Sequence, residues 1–212
     1  MTVKFERFID ARIIAIFVVV FFFTSSAWAG PAMDNLKATF DKIIKVLNDP
    51  SLKLPEKEKE KRDILRNIIK ERFNEEEFAK RALGAHWKKR TKEEKDEFTK
   101  LFSSLLERTV YKKVDRYLTE SKKITGENIL YVNEEVKGRY AVVETKVITD
   151  KDGEIPVHYR FKNNGGNWTV CDMAIEGVSL VKNYRVQFNE ILADSSFEEL
   201  IAMLKSKEQK EK

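Results

Sequence analysis

At 212 residues with 42% hydrophobic side chains, the chain can bury one core of ordinary domain size, which excludes an intrinsically disordered composition. Its 40 basic and 35 acidic residues leave a net charge of only +5. They are interleaved, as in KEKEKR and KEEKDE, which fits solvated helix faces and excludes the clustered positive charge that tracks nucleic-acid phosphates.

The first segment reads as a secretory signal peptide over residues 1–29. Lys4, Arg7 and Arg12 precede an apolar run at 13–23, and Ala27 and Ala29 follow at the spacing of small residues at a cleavage site. A run of about 11 residues is short of the ~20 that span a bilayer, so cleavage after Ala29 is expected. Gly30, not a cysteine, stands directly after that position, so a lipoprotein is not expected, and the single Cys171 excludes an intramolecular disulfide. An exported chain without disulfides fits the bacterial envelope, with residues 30–206 as one domain and 207–212 as a polar tail.

Residues 31–48 predict a helix with Leu36, Phe40, Ile43, Ile44 and Leu47 on one stripe, ended by Asn48, Asp49 and Pro50. Pro55 opens a second helix whose buried stripe is Ile64, Leu65, Ile68 and Ile69. Asn74 and Glu77 resemble a capping box for a short third helix, which Gly84 stops. Thr91 and Glu94 form a better capping box. It opens a long helix carrying Phe98, Leu101, Phe102, Leu105, Leu106, Val110, Val114, Tyr117 and Leu118. A stripe of about eight turns suits an ordinary core helix or, more sharply, one that covers a sheet and leaves a cavity along it.

Beyond Gly126 the period becomes alternating. Residues 127–133, 139–149, 155–162 and 168–175 read as strands, with turns at 150–153 and 163–166. Val157, Tyr159 and Phe161 share one face of the third strand, and His158, Arg160 and Lys162 the other. Ser179 caps a following helix, and Ser195 or Ser196 a last one that ends in a frayed tail. The fold class is α+β, with an antiparallel twisted sheet of about four strands packed by several helices.

Polar constellations are few. His86 and His158 do not stand at metal-ligand spacing, and nothing around Cys171 resembles a nucleophile turn, so no metal, cofactor or enzymatic activity is expected. Asp172 is the one acid placed among strand residues. Its ordinary role is a structural acceptor; its sharper role is the base of an isomerase-type enzyme. A scaffold that binds protein is a further alternative, although the mixed charge marks no groove for it.

The segment from Trp168 to Phe188 carries a pattern of W-x-V-x-D, then I-x-G-V-S-L-V, then N-Y-R-x-Q-F. Leu83, Gly84, His86 and Trp87, then Phe98, Phe102, Tyr111 and Tyr117, then Phe197, Leu200, Ile201 and Leu204 add to it. Over almost the whole chain beyond the leader this resembles the MlaC family, the toluene-tolerance auxiliary or periplasmic phospholipid-binding proteins. The Lys/Glu-rich second helix departs from the usual pattern.

The resemblance implies a monomeric periplasmic carrier whose helices and sheet enclose a deep apolar pocket. Two acyl chains of a phospholipid would lie inside, with the head group exposed. Its implied partners are an inner-membrane ABC transporter with an MCE subunit and an outer-membrane lipoprotein–porin complex, and its implied role is to maintain outer-membrane lipid asymmetry. Hopanoid carriers share the signature. The residues expected to face the tails are Phe98, Phe102, Leu105, Val143, Val147, Tyr159, Phe161, Val170, Met173, Ile175, Tyr184 and Phe188. Val143→Trp is expected to block lipid without unfolding. Gly177 is expected to permit the strand-to-helix turn, Ser179 to cap the helix, and Asp172 to pair with Arg185.

Overall fold

The computed structural model describes residues 30–120, 125–149 and 153–210; the expected signal peptide and residues 150–152 of the expected turn lie outside them. The helices are α1 (Pro31–Asn48), α2 (Glu58–Arg72), α3 (Glu75–Leu83), α4 (Lys92–Glu120), α5 (Leu180–Asp194) and α6 (Phe197–Lys210). The strands are β1 (Ile129–Lys137), β2 (Tyr140–Thr149), β3 (Gly153–Asn164), β4 (Asn167–Ile175) and the two-residue β5 (Val178–Ser179). They form one antiparallel sheet in chain order, the expected meander with a short fifth strand added.

Local chemistry sets the helix ends. Thr91 and Glu94 exchange reciprocal side-chain to backbone hydrogen bonds at 2.7 and 3.2 Å, and Ser196 and Glu199 do the same at 2.8 and 3.2 Å. Asn74 Oδ1 accepts from the Glu77 amide at 2.9 Å, and α3 ends at Gly84, whose φ of 58° and ψ of −125° suit only glycine. The last helix runs to Lys210 rather than fraying from Lys205. Ser104 Oγ donates to Glu208 Oε1 at 3.0 Å, and Arg108 Nη1 donates to the Glu208 carbonyl at 3.2 Å, so the polar tail is tied to α4.

Alternation holds across β2 and β3. Ala141, Val143 and Thr145 are buried opposite Phe161, Tyr159 and Val157, while Arg160 and Glu154 are exposed. In β4 both faces are covered, and the register slips between Arg160 and Phe161, which pair with Asp172 and Val170. Cys171 is therefore the extra residue of a bulge. Without it Val170 and Met173 would face opposite sides; with it both join Phe161 and Tyr159.

The helix laid on the inner face of the sheet is α1, not the long α4. Phe40 meets the Tyr159 ring edge-on at 6.0 Å, and the Glu134 carboxylate of β1 accepts from the amides of Ala32 and Met33 at 3.2 and 3.1 Å. A side chain at Gly30 would collide with that carboxylate. The principal neighbours of α4 are α6 and α3, so its aromatic stripe is spent on other helices. The side chains of Val110, Val114, Tyr117 and Leu118 lie outside the described residues. All helices but α2 contribute to one continuous apolar core with the sheet.

Candidate functional site: an apolar cavity between three helices

The twelve residues expected to face lipid tails all belong to this core. Phe98, Phe102, Val143, Tyr159, Phe161, Val170, Met173 and Phe188 are buried, and Leu105, Val147, Ile175 and Tyr184 are half-buried at its margin. They fall into two groups. The sheet residues face α1. Phe98 and Phe102 of α4 instead meet Phe188 of α5 edge-on, both at 5.5 Å, and Phe102 meets Tyr184 at 5.1 Å.

A cavity of about 280 Å³ opens beside this aromatic group, between α4, α5 and α6. Leu105, Tyr184 and Phe188 line it, so the structure brings three of the expected residues to a common space. Sequence reasoning missed the contribution of α6, namely Leu200, Met203 and Leu204. Their signal was present in the late apolar stripe, which sits on the same face as the cavity. Gln187, Ser206 and Lys207 supply a polar rim. Tyr184 keeps its hydroxyl satisfied within 3.3 Å of Thr109 Oγ1, which in turn donates to the Leu105 carbonyl at 2.9 Å.

Around the sheet group, burial raises the phenol of Tyr159 well above its ordinary range and pushes that of Tyr131 up to about 12. Both stay neutral, which suits an apolar wall. Val143 is fully buried. A tryptophan there would overpack the core at a cost of about 1–3 kcal/mol, so Val143→Trp is expected to lower stability as well as lipid occupancy.

The expected ion pair is different. Asp172 does not pair with Arg185. Its Oδ2 accepts from Arg160 Nη1 at 2.9 Å and Ser179 Oγ at 2.7 Å, and its Oδ1 from the amides of Met173 and Val181 at 2.8 and 3.2 Å. The bulge at Cys171 turns Asp172 to the face of Arg160. Arg185 instead donates from Nε to the Arg81 carbonyl at 2.6 Å, beside Gly84. Ser179 does cap α5, accepting from the Lys182 amide at 3.0 Å, and Gly177, at φ 80°, makes the turn.

These contacts weigh against isomerase chemistry. A general base needs a free lone pair aimed at a substrate, whereas the Asp172 carboxylate holds four donors together and does not line the cavity between α4, α5 and α6. Burial pushes the Cys171 thiol up to about 11, which makes it a poor nucleophile. Among the described residues no helix is long and apolar enough to cross a membrane.

The family model described as MlaC protein matches residues 37–206. The intermembrane phospholipid transport system binding protein MlaC of Haemophilus influenzae is 26% identical over 147 residues, 68% of this chain and 66% of that protein. A solved phospholipid-binding protein from Ralstonia solanacearum, in complex with a phospholipid, superposes with a TM-score of 0.70 at 22% identity, covering 84% of this chain and 97% of that one. The match to the family model spans most of the chain, and the chain belongs to the MlaC family.

Proposed function

We propose that the chain is a carrier that holds a phospholipid by its acyl tails in the periplasm and passes it between membrane complexes. The observation that carries this reading is the apolar cavity of about 280 Å³ walled by Leu105, Tyr184, Phe188 and α6, with a polar rim. It stands in a chain of the family whose relatives are named for phospholipid transport and phospholipid binding. Each buried methylene contributes roughly 0.8 kcal/mol, so two chains bind tightly without specific head-group contacts. Gln187, Ser206 and Lys207 are placed to meet the head group at the rim.

The cavity is just below the ~300–1,000 Å³ of drug-sized ligand sites. Two long acyl chains therefore need α5 and α6 to part from α4 and extend the space toward the sheet group. We assign the exchange partners to an inner-membrane ABC transporter with an MCE subunit and an outer-membrane lipoprotein–porin complex. The resulting role is upkeep of outer-membrane lipid asymmetry by a monomeric, non-enzymatic carrier.

The test is native mass spectrometry of the protein purified from its host, followed by lipid extraction. A phospholipid at near one-to-one stoichiometry is expected, with occupancy falling sharply in Leu105→Trp while the protein stays folded. A protein that takes up no lipid from liposomes would end the carrier reading.

A further inference from the structure

A second cavity, of about 290 Å³, lies where α3 meets β2, β3 and β4; Arg81, Tyr140, Val142, Arg160 and Cys171 line it, together with Ala141 and Phe161, a buried pair of the inner face. Two guanidinium groups reach it from different elements, α3 and β3. Each is backed by a carboxylate that is nearly out of solvent. Glu77, with an 11% exposed side chain, accepts from Arg81 Nε at 2.8 Å, and Asp172, at 4%, accepts from Arg160 Nη1 at 2.9 Å. The cations are the accessible partners, at 28% for Arg81 and 52% for Arg160. Among the described residues neither Nη of Arg81, nor Nε or Nη2 of Arg160, makes a hydrogen bond within the protein.

Further positive charge surrounds the pair. Lys162 Nζ shares Glu77 with Arg81 at 2.7 Å, and both Arg81 and Arg139 lie over the Tyr140 ring, 5.5 and 5.9 Å from its centre. Cys171, protonated because burial raises its thiol, adds no negative charge to the wall. Two guanidinium forks with free N–H groups, beside the apolar surface of Tyr140 and Val142, match the oxygens of a tetrahedral anion.

The geometry points to a binding site in this cavity for a phosphate-type oxyanion, either free inorganic phosphate or the phosphodiester of a lipid head group. It does not rest on the carrier reading, because it shares no lining residue with the cavity between α4, α5 and α6.

The experiment is a two-dimensional amide NMR titration of the full chain at constant ionic strength. Inorganic phosphate and a short-chain phosphatidylglycerol below its micellar concentration are added separately, and the amides of Val142, Arg160 and Cys171 are followed. Val142→Glu places a carboxylate in the cavity, across from Arg160, and removes no ion-paired group; Tyr140→Glu serves if that variant fails to fold. Saturable shifts with phosphate, weakened at least about tenfold in the folded variant, assign the site to a free oxyanion. Shifts with the lipid but not with phosphate, weakened likewise in the folded variant, assign it to a head group. Absence of saturable shifts with both, or equal shifts in the variant, would overturn the proposal.

Discussion

Replacing Asp172 by Asn removes one charge and keeps the shape. The remaining amide oxygen can hold the two backbone donors, Met173 and Val181, which now meet Oδ1 at 2.8 and 3.2 Å. The new NH2 group then points at Arg160, donor against donor, while the Ser179 hydroxyl loses its acceptor and must turn to accept instead. A hydrogen bond to a charged group contributes about 1.5–3 kcal/mol, and the half-exposed Arg160 lowers that figure through solvent screening. The expected loss is about 1–2 kcal/mol for Asp172→Asn, or a fall in Tm of roughly 2–8 °C for a chain of this size. Asp172→Ala strands the Met173 and Val181 amides and the Ser179 hydroxyl, and is expected to cost about 3–5 kcal/mol. Urea denaturation with a double-mutant cycle checks the assignment. Arg160→Met should couple to Asp172→Asn by about 1 kcal/mol, and Arg185→Met should show no coupling. An Asp172→Asn variant as stable as the parent, or coupling to Arg185 instead of Arg160, would refute the reasoning.

Three further outcomes are expected. Burial disfavours the charged form of Glu77, yet the hydrogen bonds from Lys162 and Arg81 outweigh it and hold the carboxyl below its ordinary value. Its stabilising contribution is then present above the unfolded pKa of about 4.3 and lost as pH falls through the lower folded value, so Glu77→Gln should flatten the acid limb of Tm against pH. Gly84→Ala forces a side chain into a conformation that only glycine tolerates and should cost about 1–3 kcal/mol by thermal denaturation, although the nearest atom, on Arg185, is 3.5 Å from the new carbon. Glu134→Gln removes a charge from the N-terminus of α1 and should cost about 1 kcal/mol, with faster hydrogen exchange at Ala32 and Met33.

Much of the fold was legible because it is written in local chemistry. The Thr91–Glu94 box, the Ser179 cap, the Gly84 stop and the alternation through β2 and β3 each need only neighbours within a few residues. Pairings across the fold were not legible. The partner of Asp172 depends on a one-residue bulge at Cys171, and a slip of one residue exchanges the faces of a strand. The seat of α4 was misread for a related reason. Periodicity shows that a stripe is buried but not what buries it, and here α6 and α3 do so while α1 takes the sheet. At the candidate site the α4 and α5 residues were found from their aromatic stripe. Leu200, Met203 and Leu204 were not, because only the packing of α6 shows that they share the cavity.

The contact between Glu134 and the first turn of α1 also bears on the order in which the molecule assembles. The acceptor lies 102 residues after the Ala32 amide that it satisfies. A chain that emerges amino end first exposes Leu36 and Phe40 long before the strand that anchors them exists. Contacts of such sequence separation are late and slow to form. Docking of α1 on the sheet is therefore expected late; until β1 arrives its neighbour is α2, which follows it directly in the chain, and the face meant for the sheet stays open to chaperones and to aggregation.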